Sequence, residues 1–492
     1  ILWNGPGYVR HGGECLEGVF PGGGAKVFVG GERVDDPSAG IASPYMAVST
    51  GGPVTVSTSR PMGLGEAEGV LKAAKEAMRE SASAYGRLGE AAEAMRTCLA
   101  WDTIYEPEGG NVCSTVSRLW NANWGGYVLF CWDTYLSAMM AMPESKELAY
   151  SNLIAMTREK TGDGFVPNFG SAGGNKSLDR SQPPVGSLAL KEVFRRYREP
   201  WVVELLFDDL LGWNRWYARR RRLPNGQMCW GSNPYPARTG RHWEREGVGA
   251  SFGAALESGL DNSPMYDGVL FDPESSMMLL ADVGLTGLYV MDCEALAELA
   301  RAIGRPESGE LAERAELAKD GLEMLWDEGS GMYLNRRVDT GEPSRRISPT
   351  NLYSFFSDRV TDGRARRMMD GYFYDESKFF GEYLLPSITR DDPAYKDQEY
   401  WRGRIWAPMN LLAYLAMRKK GLSDECRVLA ERSENLLLKE WRLHGHVHEN
   451  YHAETGMGCG VSSSDRFYHW GGLLALVALI DGGYVEGPER PL

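Results

Sequence analysis

Glu66-Ala67-Glu68-Gly69-Val70-Leu71-Lys72-Ala73-Ala74-Lys75-Glu76-Ala77-Met78 is where the chain changes character. Its apolar residues recur at helical spacing among Ala, Glu and Lys, all good helix formers. Before it, residues 1–63 are rich in Gly, Pro, Val and Thr. There Lys26-Val27-Phe28-Val29 reads as a strand entering a hairpin at Gly30-Gly31, and Pro53 to Thr58 alternates like a second strand. After it, the helical theme repeats. Helices are predicted over Leu88–Leu99, Tyr127–Met142, Leu148–Thr157, Leu188–Tyr197, Trp201–Arg219 and Glu274–Val283. Gly287–Ile303, Glu310–Trp326, Ile405–Met417, Ser423–Leu438 and Tyr468–Ile480 complete the series. They come in pairs joined by Gly- and aromatic-rich loops, with no residue-level repeat that would mark a solenoid. Paired helices with chemistry-bearing loops predict an (α/α)6 barrel over 64–492, with 1–63 a small β-rich segment; an irregular helical array is the alternative.

Composition excludes some partners. A net charge of -14 argues against binding a nucleic-acid backbone, which calls for a basic face. Leu473 to Ile480 is the longest apolar stretch near the C-terminus and is too short to span a bilayer. Eight scattered cysteines with no C-x-x-C pair read as buried reduced thiols, and a cytoplasmic location is expected. The first residue is Ile rather than Met, which leaves room for an upstream segment. Oligomeric state is not legible. The basic run Arg219 to Arg222 follows a helix face bearing Trp213, Trp216 and Tyr217, and reads as a solvated, dipole-complementing helix end.

The aromatic residues concentrate beside acids and glycines. Examples are Trp124-Gly125-Gly126-Tyr127, Phe130-Cys131-Trp132-Asp133 and Tyr400-Trp401-Arg402-Gly403-Arg404-Ile405-Trp406. Aromatic faces stack on the CH faces of sugar rings, and carboxylates accept hydroxyl hydrogen bonds. Any one such ring is more simply core; three mixed clusters favour a carbohydrate cleft. Glu257-Ser258-Gly259-Leu260-Asp261-Asn262-Ser263-Pro264 reads as a loop bracketed by Gly and Pro. An acid held there away from bulk water keeps its proton, as a glycosidic general acid must; the plainer reading is a turn or N-cap Asp. Asp179-Arg180-Ser181-Gln182-Pro183-Pro184 either presents Arg180 and Gln182 to a ligand or serves only as a connector.

His448-Glu449-Asn450-Tyr451-His452 matches the H-E-x-x-H pattern of zinc proteases. That pattern works only on a helix, where positions i and i+4 share a face. Here the alternation His444-Gly445-His446-Val447 precedes it and the turn Glu454-Thr455-Gly456 follows, so an extended strap is expected. No third-ligand signature is visible. The expectation is therefore no cofactor and no metal; a structural calcium is conceivable, but no D-x-[DN]-x-[DN]-G loop supports it.

Taken together, these motifs resemble glycoside hydrolase family 63, which includes processing and bacterial α-glucosidases and the smaller mannosylglycerate and glucosylglycerate hydrolases. The likeness covers roughly residues 64 to 492, and trehalases share its ESG-x-D and DRSQPP loops. The resemblance implies an (α/α)6 barrel and an inverting mechanism, with Asp261 as general acid and Glu449, before Asn450-Tyr451, as general base. It implies a first sugar subsite from Tyr127, Trp132 and Asp133, extended by Tyr400, Trp401 and Trp406. Phe130, Gly259, Asn262, Gly403 and, from the closing Phe467-Tyr468-His469-Trp470-Gly471-Gly472, Trp470 belong to the same motifs. Larger members carry a β-sandwich ahead of the barrel; 63 residues are short for one, so this piece reads as a remnant or cap.

The leading expectation is hydrolysis of a terminal α-glucosyl bond. A glycosylglycerate substrate is the alternative, with Arg180, Arg402 or Arg404 available to hold its carboxylate. A sugar isomerase or epimerase using His444, His446, His448 or His469, and a catalytically dead sugar-binding protein, are the readings outside the class.

Overall fold

The computed structural model describes residues 7–35, 44–106, 109–234, 250–487 and 492. It divides into two compact units. One comprises Trp3–Gly89 with Tyr105–Val112, the other Glu90–Ile104 with Cys113–Leu492. The change from strand to helix falls near residue 63, whereas compactness divides the chain at Gly89.

The first unit contains a four-stranded antiparallel meander, Tyr8–His11, Cys15–Phe20, Gly23–Gly30 and Thr55–Ser57, paired in chain order. The strand over Lys26–Val29 forms, but its tight turn precedes it. Phe20 pairs with Gly23 across Pro21-Gly22, and Gly22 adopts φ +86°, a left-handed backbone that costs glycine little. The expected hairpin at Gly30-Gly31 does not form, because the next strand is Thr55–Ser57. The helix Leu64–Ser83 completes this unit.

The second unit is the barrel. Six helical segments form its inner ring: Cys131–Ala141, Gly186–Tyr197, Val283–Ala302, the 3-10 segment Pro349–Phe356, Ala407–Lys420 and Leu473–Asp481. Each packs on the next, and the last returns to the first. Their burial follows from composition: every residue of Cys131–Ala141 and of Pro349–Phe356 is buried. Outer helices such as Lys146–Arg158, Pro200–Arg220, Ser308–Glu323 and Ser423–His444 lie against them with one apolar face inward. This is the (α/α)6 arrangement. No described helix is long and apolar enough to cross a membrane.

Four further sequence readings are corrected. Tyr127–Met142 is not one helix: Val128–Phe130 pairs as a strand with Phe169–Ser171, and the helix starts at Cys131, whose N–H donates to Asn168 O at 2.9 Å. Glu274–Val283 is not helical. Asp272 accepts the N–H groups of Glu274 and Ser275, closing a turn that competes with helix; the helix starts at Val283, capped by Asp282 through the Leu285 N–H. Glu257 and Ser258 are not loop but end the helix Ala250–Ser258, and Gly259 at φ +73° terminates it. Finally, Arg221 is not solvated; it is buried in an ion pair with Glu257.

The inner segment Pro349–Phe356 escaped the sequence reading because eight residues are too few to display a period. Its start is nevertheless encoded. Ser348 and Asn351 form a capping box, with Pro349 at the first position. Gly287 lets it approach, since a Cβ there would sit 2.3 Å from Tyr353 O.

Candidate active site

The pocket is lined by side chains from several connections of the barrel. The first turn of Cys131–Ala141 supplies Trp132 and Asp133, and the strand before it Phe130. The turn after Ala250–Ser258 supplies Gly259 and Asp261. Gln182, Tyr400, Trp401 and Trp470 are the other expected residues in the lining, whereas Glu449, the expected base, lies behind it and reaches it through Tyr400. Trp120, Asn168, Leu256 and Tyr468 also line it and were not singled out from sequence. Tyr468 and Trp120 carried a signal, each lying in a Trp- and Tyr-rich motif; Asn168 and Leu256 carried none.

The Tyr400 hydroxyl feels the charge of Glu449 first and of Asp261 and Asp133 as well. Tyr400 donates to Glu449 Oε1 at 3.0 Å. The Asp465 N–H donates to Glu449 Oε2 at 3.2 Å, and Trp470 Nε1 to the Glu449 carbonyl at 2.8 Å. Tyr468 donates to Asp133 Oδ1 at 2.8 Å. Asp133 and Glu449 are buried, while Asp261 keeps part of its surface open toward the pocket.

Burial dominates the electrostatics, because removing a carboxylate from water disfavours its charge. It pushes Asp261 up to about 7, opposed by the Arg180 guanidinium. It pushes Asp133 to about 7, opposed by the Tyr468 hydrogen bond. Glu449 rises to about 8 through burial and the nearby Asp465 charge, and the Asp465 N–H and Tyr400 O–H favour its anion. The site therefore holds carboxyls that can both keep and accept a proton near neutrality.

The aromatic wall is built in layers. Trp401 stacks on Trp406 with centroids 3.6 Å apart and planes 9° from parallel. Trp132 meets Trp470 edge to face at 5.7 Å. Gly259 sits where a Cβ would fall 2.8 Å from Trp132, so only glycine lets the Asp261 turn close on that ring. Tyr400 holds φ +53°, a sparsely populated backbone for an aromatic residue that stores about 1–3 kcal/mol.

Several expected site residues act one step back. Asn262 Oδ1 accepts from Trp401 N at 2.9 Å, positioning that loop. Trp406 donates from Nε1 to Tyr400 O at 3.0 Å. Gly403, at φ +102°, donates its N–H to Ser387 Oγ, and a Cβ there would lie 2.4 Å from Tyr395 O. The Tyr127 carbonyl accepts from Ala172 N, and its side chain is not part of the lining. Arg180 is fully buried against Asp179. Arg402 pairs with Asp397 and Asp267, and Arg404 donates to Asn450 Oδ1 at 2.9 Å. Among the described residues, no Arg, Lys or His lines the pocket. His448 and His452 do not converge either, since the His452 ring accepts from the Glu454 N–H.

Glu257 ties the two signature loops together. Its Oε2 accepts from Arg221 Nε at 2.6 Å and from Gly231 N at 2.7 Å; its Oε1 accepts from Arg221 Nη2 at 2.9 Å and from Ser181 N at 3.1 Å. The turn carrying Asp261 and the loop carrying Arg180 and Gln182 thus share one buried anchor.

An aromatic-lined pocket with several raised carboxyls on an (α/α)6 barrel is the arrangement expected of a glycosidase. The model of the mannosylglycerate hydrolase MGH1-like glycoside hydrolase domain matches residues 126–471. The chain belongs to that family, within glycoside hydrolase family 63. It is 24% identical over 359 residues to a mannosylglycerate hydrolase of Rubrobacter radiotolerans, covering 61% of this chain and 74% of the relative. It is 24% identical over 258 residues to the mannosyl-oligosaccharide glucosidase of Saccharomyces cerevisiae, covering 48% of this chain but 30% of that protein. A family 63 mannosylglycerate hydrolase of Thermus thermophilus, solved with Tris and D-glycerate, has the same fold at TM-score 0.61 and 20% identity, over 79% of this chain and 99% of that one.

Proposed function

We propose that this glycosidase inverts the anomeric centre and removes one terminal α-linked glucosyl residue, with Asp261 as general acid and Glu449 as general base. The observation that carries the reading is a pair of raised carboxyls, Asp261 and Glu449, whose charges the Tyr400 hydroxyl both feels. A carboxyl raised to about 7 opens onto the pocket, and a second, buried one is held by the Tyr400 hydroxyl. The acid gives its proton to the departing glycosidic oxygen. The base takes a proton from water attacking the opposite face of the sugar, which calls for carboxyls roughly 6.5–9.5 Å apart. Trp132 and Trp401 offer faces to the ring, and Asp133 and Gln182 offer hydroxyl partners.

A second reading is a glucosylglycerate or mannosylglycerate hydrolase. The printed names of the family model and of the Rubrobacter relative favour it. The printed name of the Saccharomyces relative, a mannosyl-oligosaccharide glucosidase, favours the first. A panel of α-glucosides, α-mannosides, glucosylglycerate and mannosylglycerate, scored by hexose release, separates the two. Highest kcat/KM on neutral α-glucosides is expected; highest kcat/KM on the glycerate conjugates transfers the assignment to the second reading.

A further inference from the structure

Beyond the helix end at His444, the strap leading to Glu449 carries His446 and His448 on alternate positions. In extended chain, alternate side chains share a face. The loop bearing Cys459 comes against that face. Cys459 Sγ lies 3.3 Å from His448 Nε2 and 3.9 Å from His446 Nε2. His448 Nε2 is also 2.8 Å from Glu440 Oε2, on the last turns of the helix Ser423–His444. None of these residues lines the sugar pocket.

The distances have the scale of a coordination shell. With Zn–S near 2.3 Å and Zn–N near 2.1 Å, tetrahedral geometry puts sulfur and nitrogen about 3.6 Å apart. The two Cys459–histidine separations bracket that value, and the ligand atoms of His446, His448 and Cys459 all lie within 4.8 Å of one another. The cluster is also built. Gly458 is pressed against His448 so closely that a Cβ would fall 2.2 Å from the ring. The Cys459 N–H donates to Glu440 Oε2 at 2.8 Å, fixing the carboxylate beside the thiol. His446, His448 and Glu440 are buried, while Cys459 is half-buried, leaving a route for an ion to enter.

We propose that Cys459, His446 and His448, supported by the Glu440 carboxylate against His448 and the Cys459 N–H, bind a zinc-class divalent cation that clamps the Glu449 strap to the end of the Ser423–His444 helix. Thiolate and imidazole donors select Zn2+ or a similar borderline-soft ion over the hard, oxygen-seeking Ca2+. On binding, the Cys459 S–H proton leaves to solvent, and each histidine coordinates through Nε2 with its remaining proton on Nδ1. The role is structural: His448 immediately precedes Glu449, and the strap is otherwise held by backbone bonds such as Phe467 N to Val447 O at 2.8 Å. This is not the H-E-x-x-H pattern, since His452 faces elsewhere; the donors are spaced i, i+2 and then eleven residues on.

The test is titration of the chelator-stripped full chain with Co2+, read by the thiolate-to-cobalt charge-transfer band, followed by displacement with Zn2+. One equivalent saturating the band and then displaced by Zn2+ is expected. Cys459→Ser should abolish the band, and Glu440→Gln should weaken affinity by about 10–100-fold. His446→Gln, which leaves the thiol in place, should weaken binding as well and guards against misfolding of the Cys459 variant. No band in the wild-type chain, or binding of equal affinity in Cys459→Ser and His446→Gln, overturns the site.

Discussion

Asp261→Asn is expected to lower kcat on a well-cleaved substrate by ~10²–10⁴-fold, the usual worth of one positioned proton transfer, while leaving the fold intact. Asn262 and Gly259, not the Asp261 carboxyl, make the contacts that hold the turn. The pH profile supplies an independent reading. A general acid works only while protonated, and burial raises Asp261 to about 7. Its contribution is therefore present below that value and lost as pH rises through it. Glu449 must be ionised in the same form, and burial with the Asp465 charge raises it to about 8, so in wild type kcat/KM should follow a narrow bell with limbs near pH 7 and 8 rather than near the ordinary carboxyl range. The asparagine variant should lack the alkaline limb. Glu449→Gln should lose activity to a similar degree, because the amide cannot take the proton of the attacking water. Near-wild-type turnover in either variant contradicts the assignment of its role.

Glu257→Ala is expected to cost about 3–5 kcal/mol of stability, the penalty for leaving a buried cation without its partner. Arg221 and Glu257 are both fully buried and joined by two hydrogen bonds. The Ser181 and Gly231 N–H groups would lose their acceptor in the same step. Chemical denaturation of wild type and variant reads the difference directly; a loss below about 1 kcal/mol, the scale of an exposed pair, would show that the anchor does not hold the two loops. Activity should fall alongside stability, since Asp261 lies four residues beyond Glu257 and Gln182 one beyond Ser181.

The barrel was legible because long helices display their period. Trp201–Arg219 and Ser423–Leu438 were read to within a few residues at the start, and both run on further at the C-terminal end. Short elements were not. Pro349–Phe356 closes the inner ring with eight residues, and Val128–Phe130 is a three-residue strand fused in sequence to a helix. Most of the lining residues were legible as motifs. What the sequence could not express is direction. Trp401 and Trp406 sit five apart in one motif, yet one faces the pocket and the other supports it from behind. Arg221 resembled its solvated neighbours because its partner, Glu257, lies 36 residues away. The His446, His448 and Cys459 cluster was hidden for a similar reason: Cys459 comes against the histidines from eleven residues further along the chain.

The central claim is single-step displacement by water between Asp261 and Glu449. Proton NMR of an α-glucoside digest, recorded before mutarotation, tests it most directly. The account predicts that β-glucose appears first and then equilibrates. First appearance of α-glucose would contradict it, because retention requires a covalent glycosyl-enzyme intermediate that this assignment of acid and base excludes.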